Sequence, residues 1–287
     1  MVGIDRLWLV LFVALSVTMT LLLACSSDSD QAPAAPIRVL VTNDDGVGAE
    51  GIDAIVEALR DDPGIVLTVS APAMDQSGTG DSTSPPPLQA TQATTASGYP
   101  ATAVEGTPAD SVIYALENLF TDAAPHVVLS GINEGQNLGA IPIGQTLLAS
   151  GLSGTVGAAK TAACLGVPAL AASQGGVAGD GPLDYEAGVA AVLVWLQANR
   201  ASLLAGNASV ENISSINIPS CETGSIRGTL EVPLATENPN DWPIIGGPQD
   251  CESEVTAPPN DVEAFFNGYV AVSPVASNAL MTCDKLN

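Results

Sequence analysis

The sequence predicts an α/β fold, a mostly parallel sheet flanked by helices, with a β-rich carboxy-terminal extension. Three observations carry this expectation. Short β-branched runs alternate with segments of helical period from Ile37 to Leu204, the pattern of strand–helix–strand units. Polar and glycine-rich clusters fall directly after the apolar runs, where an open parallel sheet gathers its ligands. From Ile216 onward the composition shifts to Pro, Asn and Gly, with Cys221 and Cys251 inside the shift.

The elements follow in order. Ile37–Thr42 reads as a buried strand. Gly51–Arg60 places Ile52, Ile55, Val56 and Leu59 at helical spacing. Ile65–Ala71 is a second β-branched run. Ala109–Phe120 is helical, with Val112, Ile113, Leu116 and Leu119 on one face. His126–Ser130 is a strand, Gly154–Leu165 an Ala-rich helix, Pro168–Ser173 a short strand and Tyr185–Leu204 a long helix. In the extension, Gly228–Val232 and Tyr269–Val272 are strand-like. The extension is expected to pack on the core rather than stand as a second domain.

The 287 residues carry 7 Lys and Arg against 31 Asp and Glu, a net charge of −24. A nucleic-acid polymer is excluded as a partner, because backbone binding needs clustered cations. Attraction to anionic lipid is excluded for the same reason. Charged residues are 13% and hydrophobic residues 46%, so the chain has apolar surface for a core and is not a disordered one.

Residues 1–24 read as a lipoprotein signal peptide. Trp8–Ala24 is an apolar run of 17 residues ending in Leu22-Leu23-Ala24-Cys25. A small residue before a cysteine at the end of such a run is a processing signature, with Cys25 the lipidated residue. A transmembrane anchor is the alternative, at the short limit of the roughly 17–25 residues a span needs. Residues 25–36 are expected to be a flexible tether, residues 37–287 the folded domain, and the protein exported and facing the periplasm or cell exterior. Export leaves Cys164, Cys221, Cys251 and Cys283 able to pair. Four cysteines allow three connectivities. Cys221–Cys251 is favoured because it would staple a loop-rich segment, with Cys164–Cys283 the remainder.

The chemistry is expected at the strand ends. Asn43-Asp44-Asp45-Gly46 puts two adjacent carboxylates after the first strand. They repel unless a cation lies between them or they cap the next helix, and both readings stand. Hard oxygen ligands suit Mg²⁺, Mn²⁺ or Ca²⁺. After the second strand, Ser77-Gly78-Thr79-Gly80 is a small-residue loop. After the third, Ser130-Gly131-Ile132-Asn133 leads through Gly135 and Asn137 to Gly139. Ser153-Gly154-Thr155 opens a helix and offers a phosphate seat.

Other chemistries fail. Gly151-Leu152-Ser153-Gly154-Thr155 misses G-x-S-x-G at its last position. Ala159-Lys160-Thr161 lacks the Walker A glycine, and Lys160 reads as a surface helix residue. His126, the only histidine, starts a strand at the wrong end for the site, which excludes a Ser-His-Asp triad or a His-rich zinc site.

These loops, in this order, resemble the SurE family of metal-dependent 5′/3′-nucleotidases. The matching stretches are Val39–Gly46, Ala71-Pro72 with Ser77-Gly78, Gly106–Asp110, Ser130–Asn133 with Gly135 and Asn137–Gly139, Ser153–Val156, Gly166–Ala171 and Gly268–Pro274. The resemblance implies a Rossmann-like core with a divalent cation, Mg or Mn, held by Asp44, Asp45, Ser77 and Asn133. It implies catalytic roles for Asp44, Asp45 and Asn133, and phosphate binding by Asn137, Ser153, Gly154 and Thr155. It implies hydrolysis of nucleoside monophosphates, and a homodimer or homotetramer. The chain departs from the family pattern in the Ala140–Leu152 loop, the Cys221–Cys251 region and the leader. Met74-Asp75-Gln76 also stands where basic residues are common. The alternatives are a broad-specificity exported acid phosphatase and a non-catalytic solute-binding lipoprotein.

Overall fold

Ile37–Thr42 forms β1, and Ile37, Val39, Leu40 and Val41 are all fully buried. Burial on both faces of one strand requires helices on both sides of the sheet. The computed structural model describes residues 35–143, 146–176, 183–238, 241–243 and 246–286. The expected leader, Cys25 and most of the tether lie outside the described residues.

After β1 come α1 (Glu50–Leu59), β2 (Ile65–Pro72), β3 (Ala90–Thr94), β4 (Pro100–Val104), α2 (Pro108–Asn118) and β5 (Val127–Glu134). A small hairpin of β6 (Pro142–Ile143) and β7 (Thr146–Leu147) follows, then a π-helical turn at Leu148–Leu152. Next are α3 (Gly154–Cys164), β8 (Ala169–Gln174), α4 (Tyr185–Leu204), β9 (Asn212–Ile218) and β10 (Thr229–Glu231). The chain ends in α5 (Asp261–Phe266), β11 (Val270–Ala276), a 3₁₀ turn and α6 (Thr282–Lys285).

Nine strands form one sheet in the order β10-β11-β9-β8-β5-β1-β2-β4-β3. Only the β3–β4 and β9–β11 pairs are antiparallel. β1 lies between β2 and β5, both parallel to it. The chain thus leaves β1 in opposite directions, and a crevice opens at the carboxyl ends of these strands.

Two aliphatic layers cover the sheet. Ile52, Ile55 and Val56 of α1 and Val192 and Leu196 of α4 pack on Val39 and Val41. Val112 and Ala115 of α2 and Val156, Ala159 and Ala162 of α3 pack on Leu40 and Val128. Each buried Val, Leu or Ile contributes about 1.5–3 kcal/mol. α2 starts where Thr107 and Asp110 form a reciprocal capping box, satisfying two of the helix's unpaired N–H groups.

The extension enlarges the same sheet instead of forming a separate layer. β9, β10 and β11 form one flank of it, and Phe265, Phe266 and Tyr269 build a third cluster with Leu138 and Ala235. β9 begins at Asn212, earlier than the composition shift that marks the extension in the sequence. The cysteines pair as Cys221–Cys251 and Cys164–Cys283.

Lys160 corrects the sequence reading. It is fully buried rather than exposed, because α3 lies under other elements on nearly every side. His126 lies just before β5, and its Nδ1 accepts a bond from Arg38 N at 2.9 Å, a structural role.

Candidate active site

β1 delivers Asn43, Asp44 and Asp45 into the crevice. Asn43 is buried, and its Nδ2 donates to Gly46 O at 2.9 Å, closing the turn. Val47 N donates to Pro72 O at 2.8 Å, tying the turn to the end of β2. Asp44 is 3% exposed. Its Oδ1 accepts from Thr155 Oγ1 at 2.5 Å, and its carbonyl accepts from Gln76 N at 2.8 Å. Asp45 Oδ2 accepts from Glu134 N at 3.3 Å. The two carboxylates are therefore fixed to different elements, Asp44 to α3 and Asp45 to the end of β5.

Burial raises the Asp44 carboxyl against the bonds from Thr155. Burial, and then the charge of Asp44, push Asp45 up to about 7. The ion pairs among the described residues are Arg60–Asp61, Lys160–Asp81 and Lys285–Asp81, so no cationic side chain offsets this pair. Adjacent carboxylates, one buried and one half-buried, are costly without a counter-charge, and a hard divalent cation removes the cost by the chemistry of its preferred ligands. The residues therefore fit the implied ion. Among the described residues no three His, Cys, Asp or Glu converge on a metal position. The expected set does not need them, since in it Ser77 and Asn133 would contribute neutral oxygens.

Asn133 lies on β5 itself, which runs on to Glu134 with a register shift after Ser130. Its Nδ2 donates to Gly135 O at 2.6 Å and Glu134 O at 3.2 Å. With both amide protons used, Oδ1 is the end left to meet a ligand. Ser77 is exposed, and its N and Oγ both donate to Asp75 Oδ1, at 2.8 and 2.6 Å. The Gln76–Asp44 bond brings this loop against the carboxylates.

The expected phosphate-binding residues divide. Ser153 caps α3, accepting from Val156 N at 3.1 Å, while Thr155 is committed to Asp44. Gly154 lies against the same carboxylate. A Cβ there would come within 2.8 Å of Asp44 Cβ, so only glycine lets the helix start this close. Asn137 is a structural link: its Nδ2 donates to Ser173 Oγ at 2.9 Å and its N to Asn217 Oδ1 at 2.7 Å. The Ala140–Leu152 stretch holds the small hairpin and the π turn, and lies between the Asn137 link and the start of α3.

Sequence reasoning missed four residues here. Asp75 and Glu134 add negative charge beside Asp45. Tyr185 is 9% exposed, and burial, then the charges of Asp45 and Glu134, raise its hydroxyl so that it stays neutral. Asp261 is fully buried and accepts from Gly139 N at 2.7 Å and Ala235 N at 2.6 Å, pinning the end of the Asn133–Gly139 loop. Asn260 caps α5 through Glu263 N at 2.9 Å, and this Asn-x-x-Glu spacing was a legible helix start.

A cavity of about 660 Å³ lies elsewhere, between α4 and β9–β11. Its Ala191, Val194, Trp195, Ile216 and Val272 walls are apolar and offer a cation little to bind.

Comparisons with known proteins place the chain in a family. The 5′-nucleotidase SurE 1 of Burkholderia lata is 34% identical over 83% of this chain and 90% of its own. The 5′-nucleotidase SurE of Rhizorhabdus wittichii is 32% identical over 88% and 95%. The crystal structure of the SurE protein from Aquifex aeolicus superposes with a TM-score of 0.63 at 26% identity, covering 84% of this chain and 93% of that one. Residues 39–241 match the family described as survival protein SurE, and with these relatives and the acidic crevice in place, the chain belongs to the SurE family.

Proposed function

We propose that the protein is a metal-dependent phosphomonoesterase that hydrolyses nucleoside monophosphates. The observation that carries this is the Asp44–Asp45 pair, Asp44 buried and Asp45 half-buried at the switch point of the sheet, with no cationic side chain paired to either among the described residues. The names of the relatives, 5′-nucleotidases, support the substrate class.

Asp44, Asp45, Ser77 and Asn133 would hold Mg²⁺ or Mn²⁺. Such an ion, when bound, supplies Lewis-acid polarisation of a phosphoryl oxygen and activation of water. The chain supplies the rest. Thr155 holds Asp44 in one orientation through Oδ1 and leaves Oδ2 beside Gly154 at the amino end of α3. Asn133 presents its Oδ1. Burial and the charge of Asp44 raise Asp45 while no cation is bound, and a divalent ion would favour its ionised form, so that Asp45 would serve as an anionic ligand. The amino end of α3 directs its dipole at this corner, where negative charge is favoured.

Export as a lipoprotein through Cys25, with a homodimer or homotetramer as the assembly, completes the proposal. The two disulfides support an oxidising compartment. The test is phosphate release from AMP with Mn²⁺, Mg²⁺ or chelator, across pH and against a panel of other phosphomonoesters. Metal-dependent release favouring nucleotides is expected. Equal rates across the panel would assign a broad acid phosphatase, and no release from any ester a non-catalytic binding protein.

A further inference from the structure

Lys160 takes no part in the chemistry above, yet it is fully buried in the middle of α3. Its Nζ lies 3.3 Å from Asp81 Oδ2. Asp81 follows Ser77 by four residues on one loop. The other Asp81 oxygen accepts from Lys285 Nζ at 2.7 Å, and Thr282 Oγ1 also donates to the carboxylate. Lys285 and Thr282 belong to α6, and Cys283 between them is bonded to Cys164 at the far end of α3.

The same loop touches α3 through bare backbone. A Cβ on Gly157 would lie 2.0 Å from Gly80 O, and one on Gly80 would lie 2.4 Å from Gly151 O. Gly80 N donates to Leu152 O at 3.1 Å. The loop therefore meets α3 at two levels, at Gly157 and at Lys160. Two residues before Gly157, about half a turn, Thr155 holds Asp44. Burial alone would raise the Asp81 carboxyl, but the bonds from Lys285 and Thr282 and the charge of Lys160 outweigh it and hold the group ionised.

We propose that Asp81 is a positioning residue for the acidic site. It is gripped by buried Lys160 and by a carboxy-terminal tail that the Cys164–Cys283 disulfide keeps in place, and it seats the Ser77 loop against the helix that carries Thr155. Lys160 supplies the fixed side of the clamp and Lys285 the removable side. Without the tail, Asp81 and Lys160 face water, and the loop between Ser77 and Asp81 must be ordered when a ligand binds. The inference rests on reading Asp44, Asp45, Ser77 and Asn133 as a cation site.

The test compares the full chain with Lys285→Met, Lys285→Arg, Cys283→Ser, Asp81→Asn and the Asp81→Asn/Cys283→Ser double variant. It measures Mn²⁺ affinity by calorimetry, hydrogen exchange at the Ser77–Ser82 amides without metal, and thermal melting. Lys285→Met and Cys283→Ser should each weaken Mn²⁺ binding about threefold and Asp81→Asn about tenfold, since a partly exposed partner is worth less than a buried one. Lys285→Arg should restore the parent affinity. The double variant should bind no more weakly than Asp81→Asn, because both changes act through one carboxylate. Exchange should rise in step with the loss of affinity. Should Asp81→Asn fail to fold, the two milder variants carry the test. Unchanged exchange in Lys285→Met and Cys283→Ser overturns the clamp. So does parent-like Mn²⁺ affinity in variants that only melt earlier. A parent that shows the exchange response but binds no Mn²⁺ overturns the functional reading and leaves the clamp standing.

Discussion

The Thr155 hydroxyl donates to Asp44 Oδ1 at 2.5 Å across 111 positions of sequence. That bond joins the turn after the first strand to the first turn of α3 and fixes the orientation of the Asp44 carboxylate. Partners that orient a metal ligand change affinity by about 10–100-fold when removed. Thr155→Val should weaken Mn²⁺ binding by about tenfold, while Thr155→Ser, which keeps the donor, should stay within about threefold of the parent. Calorimetry on the three proteins decides. Equal affinities for parent and Thr155→Val would show that the bond orients nothing of consequence.

Asp44→Asn separates function from folding. It should abolish metal-dependent phosphate release from AMP and remove the rise in melting temperature that Mn²⁺ gives the parent, worth about 2.7 kcal/mol at a hundred times Kd. Without metal the variant should melt no lower than the parent, because one of two repelling adjacent carboxylates is gone. Activity that survives this change would end the assignment of Asp44.

Gly154 is closed to any side chain by its approach to Asp44. Gly154→Ala should cost about 1–3 kcal/mol of stability, the usual range for overpacking a filled core. It should also lower activity more than Thr155→Ser does, since the added methyl displaces Asp44 itself. Denaturant melts beside kinetics would reveal it. A variant as stable and active as the parent would mean the helix start is free to move.

Asp81 links the clamp to acid stability. Its folded carboxyl lies below the ordinary 3.8, so its contribution is present above that value and is lost as pH falls through the lower folded one. The parent should lose stability more steeply than Asp81→Asn below about pH 4, because only the parent has this proton to take up. Melting curves at pH 7 and through the acid range measure the difference. Parallel curves would deny Asp81 a stabilising charge interaction.

Cys221–Cys251 closes a separation of 30 residues, far shorter than the 119 closed by Cys164–Cys283. Removing it as a Cys221→Ser/Cys251→Ser pair should cost about 2–4 kcal/mol, the ordinary worth of a disulfide. Mn²⁺ affinity should be unchanged, because neither residue reaches the acidic crevice. A selective loss of affinity would place the stapled segment in the site.

The sequence by itself determined the α/β class, the long helix Tyr185–Leu204 and the acidic strand end at Asp44-Asp45. These are local statements: aliphatic side chains on both faces of Ile37–Thr42, helical period over Gly51–Arg60, polar clusters after apolar runs. It left β3 and β4 unread because ATQAT and PATAV have little bulk at the sheet edge. It left β9 unread because NISSINI buries Ser215 and Asn217, and the burial of Asn217 makes sense only when Asn137 arrives to pair with it. Tertiary structure alone decided what each polar group near the site does. Thr155 serves Asp44, Asn137 links β8 and β9, and Asp261 holds Gly139. Lys160 gives the physical reason in one side chain. An amine on an Ala-rich helix belongs in water until a carboxylate 79 residues away meets it, and a sequence records both residues without recording that they meet.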